Sequence, residues 1–122
     1  MPPRILIVDD DAHVAGAMRR LLRGYAVDVC DSGAAAVARC VSEDYALVLC
    51  DVMMPGQSGM DVYNRLAELR PEMIPRIVFV TGGTFTPEIT SFMGSVSNLV
   101  LDKPVPRALM LEVVGRMTGG PV

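Results

Sequence analysis

The sequence predicts an α/β fold, an open sheet of parallel strands wound on both faces by helices and assembled from five strand–helix units. Three observations predict it. Short apolar runs rich in β-branched residues recur along the chain, beginning with Ile5-Leu6-Ile7-Val8. Between them, apolar residues return at helical spacing. Four of the runs stop abruptly at a polar residue, at Asp9, Asp51, Thr81 and Asp102. Strands of a parallel sheet read as continuous apolar runs because helices cover both of their faces.

Each element follows from its own residues. Ile5–Val8 is the first strand. Val14, Ala17, Met18, Leu21 and Leu22 then share one face of a first helix, with Asp11 able to cap its start and Gly24 to end it. Tyr25–Cys30 is a weaker apolar run with Asp28 in its middle, and reads as an edge strand. Ser32-Gly33 opens a second helix along Val37, Cys40 and Val41. Residues 46–50 are the third strand, ending at Asp51, and Val62, Leu66 and Leu69 mark a third helix that stops before Pro71. Ile77–Val80 is the fourth strand. Thr86-Pro87-Glu88 starts a fourth helix that Gly94 interrupts, limiting it to about two turns. Leu99–Leu101 is the fifth strand, ending at Asp102-Lys103-Pro104. Leu109, Val113 and Met117 give the last helix, with Pro106 near its first turn and Gly119-Gly120 past its end.

Composition bounds the function. With 122 residues, 51% of them apolar, the chain is a single domain over residues 1–122 with a real core. No apolar run approaches the roughly 18 residues of a membrane helix, and Met1-Pro2-Pro3-Arg4 lacks the parts of a secretory leader. A net charge of −3 argues against binding nucleic acid. Cys30, Cys40 and Cys50 contain no CxxC pair, and His13 is the single histidine. Neither a disulfide framework nor a zinc site fits, so the cysteines read as buried reduced thiols of a cytoplasmic protein.

In open parallel sheets, ligands bind beyond the carboxyl ends of the strands, near the point where the winding reverses. The topology would therefore gather Asp9, Asp10, Asp51, Thr81 and Lys103 on one rim. Two carboxylates at ~4 Å repel by about 4 kcal/mol at an effective dielectric of 20, so such a cluster raises one pKa or recruits a cation. Hard oxygen ligands with open positions suit Mg²⁺. A lysine ammonium and a threonine hydroxyl add donors for a tetrahedral anion, and a carboxylate can serve as nucleophile toward phosphorus. Lys103 is the one lysine among eleven basic residues, and it stands at the end of the fifth strand.

The motifs Ile5-Leu6-Ile7-Val8-Asp9-Asp10-Asp11, Val48-Leu49-Cys50-Asp51-Val52-Met53-Met54-Pro55-Gly56 followed by Gly59, Val78-Phe79-Val80-Thr81-Gly82, and Asp102-Lys103-Pro104 occur in this order. In this the sequence resembles the receiver domain of two-component response regulators, from Arg4 to Thr118. The resemblance implies a flavodoxin-like (βα)5 fold with strand order 2-1-3-4-5. It implies Asp51 as phospho-acceptor. Mg²⁺ would be held by Asp10, by Asp9 directly or through water, by Asp51 and by the backbone carbonyl of Met53. Thr81 and Lys103 would bind phosphoryl oxygens, and the Lys103–Pro104 peptide would be cis. The phosphoryl donor would be a histidine kinase or a histidine phosphotransfer protein. Output would pass to a downstream protein through the fourth and fifth βα units, with no nucleic acid or membrane involved. Such a chain catalyses its own phosphorylation and dephosphorylation but serves chiefly as a signalling switch.

Three positions depart from the family pattern. Val100 stands where the family often has an aromatic residue that reports phosphorylation. Met53 and Gly83 stand where side chains flank the attacking water, and neither offers a donor. The loop Gly82-Gly83-Thr84-Phe85-Thr86 is rich in glycine, suggests a mobile output surface, and resembles receivers fused to histidine kinases. Two other readings compete. One is a pseudo-receiver acting as a constitutive protein-binding module. The other is a phosphatase or phosphotransferase of small phosphate esters, disfavoured because Met53 stands where a second catalytic acid would be expected.

Overall fold

The computed structural model describes residues 3–54, 56–83 and 86–120; Pro55 of the motifs above, and Thr84 and Phe85 of the glycine-rich loop, lie outside the described residues. Five strands, β1 (Arg4–Val8), β2 (Ala26–Cys30), β3 (Leu47–Asp51), β4 (Ile77–Thr81) and β5 (Val100–Asp102), form one parallel sheet in the order β2-β1-β3-β4-β5. The helices are α1 (Ala12–Leu21), α2 (Gly33–Ser42), α3 (Gly59–Leu69), α4 (Pro87–Ser95) and α5 (Arg107–Thr118). This is the doubly wound architecture that the alternating pattern predicts.

Side chains of a strand point alternately to opposite faces, and this divides the core in two. Leu6, Val8, Val48, Cys50 and Phe79 face α2, α3 and α4. Ile5, Ile7, Leu47, Leu49, Val78 and Val80 face α1 and α5. The central strands β1, β3 and β4 are therefore apolar at successive positions, as their runs require.

Local chemistry sets the helix starts. Asp11 caps α1 by accepting the amides of His13 and Val14 at 2.9 and 3.2 Å. Ser32 caps α2 and Thr86 caps α4, while Ser58 and Asp61 form a reciprocal capping box on α3. Gly59 has a different duty. A Cβ there would meet the Asp51 carbonyl oxygen at 3.0 Å and the Phe79 ring at 3.1 Å, so its bare backbone lets α3 begin against the end of β3.

Four expectations need correction. Leu99 precedes β5 instead of starting it and is exposed, and β5 buries only Leu101, because it is the second edge of the sheet. Gly94 lies inside α4, whose nine residues exceed two turns. On α1 the buried residues are Ala15 and Met18, with Leu22 at the cap, while Ala17 is exposed; on α5 they are Met110, Val113 and Val114. Both stripes are thus rotated from the expected faces, since each helix offers more apolar residues than the sheet covers. Finally, a 3-10 helix at Pro71–Arg76 follows α3 and was not foreseen.

Asp28 keeps its place in edge strand β2 by pairing. It accepts hydrogen bonds from Arg4 at 2.6 Å and from the buried Tyr45 hydroxyl at 2.8 Å. The Arg4 guanidinium also lies over the Tyr45 ring, 4.9 Å from its centroid.

Candidate functional site

Parallel strands in register end on the same rim, and that rim carries the polar run ends. Asp9 follows β1, and its amide continues the ladder to the Cys30 carbonyl at 3.1 Å. Asp51 is the last residue of β3 and lies in register with Val80, one residue before Thr81. Beyond β5, the Lys103 amide donates to the Thr81 carbonyl at 2.7 Å. Residues from four strand ends thereby meet, although they span 94 positions of sequence.

Carboxylate oxygens of Asp9, Asp10 and Asp51 all lie within 4.8 Å of one another. The Lys103 ammonium donates to Asp9 Oδ2 at 2.7 Å and stands 3.2 Å from Asp51 Oδ2. Asp9, Asp51 and Thr81 are buried, at 1%, 5% and 1% exposure, whereas Asp10 faces solvent. Backbone amides hold two of the carboxylates: Asp9 Oδ1 accepts from Asp11 at 2.9 Å and Asp51 Oδ1 from Met53 at 3.2 Å.

Electrostatics follows from this crowding. Burial raises the Asp51 pKa above the ordinary carboxylate value; the Met53 amide and Lys103 oppose that shift, and Asp9 adds to it. Burial also works against the Lys103 charge. The bond to Asp9 and the charges of Asp51 and Asp9 outweigh it, so the ammonium titrates above its usual value. One lysine facing three acids leaves an excess of negative charge, and this oxygen-only donor set suits a hard divalent cation.

The remaining singled-out residues are placed as follows. Thr81 Oγ1 accepts the Gly83 amide at 3.1 Å and keeps its own O–H free to donate. Met53 lies two residues beyond Asp51 with its side chain exposed. His13 lies in the exposed first turn of α1. The Lys103–Pro104 peptide is cis.

A family model, the response regulator receiver domain, matches residues 5–115. The chain belongs to the response regulator receiver family. This receiver is 30% identical over 112 residues to the transcriptional regulatory protein ResD of Bacillus subtilis, covering 90% of this chain and 46% of ResD. It is 34% identical over 120 residues to the DNA-binding response regulator MtrA of Mycobacterium tuberculosis, covering 96% of this chain and 51% of MtrA. It thus spans about half the length of these curated relatives. Among solved structures it is similar to the CheY-like receiver domain protein of Methanospirillum hungatei, with a TM-score of 0.84 and 27% identity over 98% of this chain and 95% of that one. Membership places the chain in two-component signalling. No helix among the described residues is long and apolar enough to cross a membrane.

Two features of the receiver escaped the sequence reading. Tyr63 of α3, Phe79 of β4 and Phe92 of α4 form an aromatic trio, with Phe92 edge-on to Tyr63 at 5.2 Å and to Phe79 at 5.6 Å. It joins the strand that ends at Thr81 to α4. The aromatic spacing has no period that sequence alone reveals. The second is a groove of about 340 Å³ along α1, lined by Val14, Ala17, Met18, Leu21, Lys103, Pro104 and Val105. Its signal was the apolar surplus on α1, read as core.

Proposed function

We propose that this receiver takes a phosphoryl group from a phosphohistidine donor onto Asp51 and that the new charge changes the surface of α4, β5 and α5. The observation that carries the reading is the ammonium of the sole lysine placed between Asp9 and Asp51, with a third carboxylate within reach.

An Asp51 carboxylate oxygen attacks phosphorus. A P–O bond forms as the P–N bond to the donor imidazole breaks, and the nitrogen leaves with the electron pair. The Met53 amide, 3.2 Å from Oδ1, orients the nucleophile, so that Oδ1 is held while Oδ2 faces the Lys103 ammonium at 3.2 Å. Asp9, Asp10, Asp51 and the Met53 carbonyl would hold Mg²⁺, which when bound supplies positive charge for the phosphoryl oxygens. Lys103 turns its ammonium from Asp51 to a phosphoryl oxygen, and the Thr81 hydroxyl donates its free O–H to another. Movement at Thr81 bears on β4 and, through Phe79 and Phe92, on α4. This route uses no aromatic residue at position 100, where Val100 lies on the exposed edge.

The donor on this reading is a histidine kinase or phosphotransfer protein, the setting is the cytoplasm, and the recipient of the signal is a protein. Neither DNA nor a membrane is contacted by this segment, whose net charge is −3. Acetyl phosphate with Mg²⁺ tests the proposal. Mass spectrometry is expected to show one phosphoryl group on the chain, stable in acid and lost in base, and none on Asp51→Asn. An adduct retained by that variant refutes the assignment. Cation binding without transfer would instead support the pseudo-receiver.

A further inference from the structure

Met53 is exposed, at 42%, whereas every other methionine among the described residues is buried or half-buried. It also stands at the site. Its amide donates to Asp51 Oδ1 at 3.2 Å, so with an N–Cα bond of about 1.46 Å the root of its side chain lies within about 5 Å of that carboxylate. The arm is unbranched and flexible, and its sulfur can swing over Asp51. On the Thr81 side the rim is bare: Gly83 has no side chain, and its amide is engaged by Thr81 Oγ1 at 3.1 Å. Asp10, also exposed, is committed to the cation on the reading above. Water reaching a phosphoryl group on Asp51 therefore passes a thioether, which is a weak hydrogen-bond acceptor.

Resting on the phosphoryl-transfer reading, we propose that Met53 is an oxidation site through which peroxide shortens the life of phosphorylated Asp51. The thioether sulfur attacks one oxygen of hydrogen peroxide. An S–O bond forms as the O–O bond breaks, sulfur gives up two electrons, and the departing hydroxide takes the proton of the transferred oxygen and leaves as water. The sulfoxide carries a strong acceptor on the same flexible arm. Its oxygen accepts from an incoming water and holds that water facing phosphorus. The water oxygen then bonds to phosphorus, the P–O bond to Asp51 breaks with its electron pair going to the carboxylate, one proton stays on the phosphate formed and the other passes to solvent. The cysteines do not compete for peroxide. Cys30, Cys40 and Cys50 are buried, and burial keeps their thiols protonated at neutral pH. Methionine sulfoxide is reduced back by dedicated reductases, so the change is reversible.

The test treats the chain with hydrogen peroxide and maps the added oxygen by mass spectrometry of its peptides. Met53 is expected to be oxidised ahead of the half-buried Met60, Met93 and Met117. Oxidised and untreated chains are then labelled with acetyl phosphate and Mg²⁺, freed of donor, and followed by intact mass as the phosphoryl group is lost. Loss is expected to be about tenfold faster after oxidation, the factor that one well-placed hydrogen bond in the transition state supplies. Met53→Leu, compared with itself before and after peroxide, is expected to show no such change. Met60→Leu/Met93→Leu/Met117→Leu is expected to respond as the wild type does. Oxidation of the half-buried methionines ahead of Met53, unchanged or slower loss once Met53 is oxidised, a response that survives in Met53→Leu, or one that vanishes in the triple variant would each overturn the inference. If acetyl phosphate leaves the untreated chain unlabelled, the phosphoryl-transfer reading falls and takes the inference with it. A labelled chain whose lifetime ignores oxidation at Met53 sinks the inference alone.

Discussion

Asp51→Asn is expected to stabilise the metal-free receiver while abolishing its chemistry. Oxygens of Asp51, Asp9 and Asp10 lie within 4.8 Å of one another. At an effective dielectric of 20, each repulsion on Asp51 costs about 3.5 kcal/mol, together about 7. Lys103 at 3.2 Å returns about 5 kcal/mol on the same scale. The balance of about 2 kcal/mol is trimmed by solvent at the exposed Asp10, leaving a gain of about 1–2 kcal/mol for the neutral amide. For a domain of this size that is about 4–8 °C in Tm. The pH dependence has a definite sign. Burial raises the Asp51 pKa in the folded chain, so the folded state holds its proton more tightly than the unfolded state does. Wild-type stability from this group is therefore present in acid and falls as pH rises through the folded pKa, and the variant lacks that fall. Thermal unfolding in EDTA between pH 4 and pH 8 is the assay, with the gap between variant and wild type expected to widen toward the higher pH. Added Mg²⁺ is expected to stabilise the wild type by mass action and the variant far less, closing or reversing the gap. A variant less stable than wild type in EDTA at neutral pH, or equal stabilisation of both by Mg²⁺, would refute the reasoning.

Two further outcomes follow from groups outside the site. Tyr45→Phe removes the hydroxyl that donates to Asp28 at 2.8 Å and is expected to cost about 1–2 kcal/mol in urea unfolding. That hydroxyl is the first cause holding the Asp28 pKa below its usual value, so the contribution is present at neutral pH and the difference from wild type is expected to shrink as acid protonates Asp28. The three cysteines are buried, and burial pushes Cys30 and Cys40 up to about 11 and Cys50 further still. Iodoacetamide at mildly alkaline pH is expected to leave the native chain unlabelled and to modify all three after unfolding in urea; rapid native labelling would contradict the packing.

The legibility of the site rests on the parallel sheet. In such a sheet every strand runs toward the same rim, so the residue that ends an apolar run is also a residue at the ligand edge. Asp9, Asp51, Thr81 and Lys103 could therefore be grouped without knowing a single distance. β1, β3 and β4 were equally legible, because burial on both faces leaves no polar position to confuse the pattern. β5 was not. Edge position is a property of the whole sheet, and only the completed order shows that Leu99 and Val100 face solvent.

What the amino-acid sequence determined by itself was the alternation of elements, most of the helix caps and the inventory of reactive groups, because these depend on neighbours a few residues apart. What tertiary structure alone decided was the partnering across space: Lys103 against both Asp9 and Asp51, Tyr45 beneath Asp28, and Phe92 against Phe79. It also decided which part of an apolar helix surface is core and which is left open. A helix with more apolar width than the sheet can cover must expose the remainder. On α1 that remainder is Val14, Ala17 and Leu21, running alongside Lys103 toward the site.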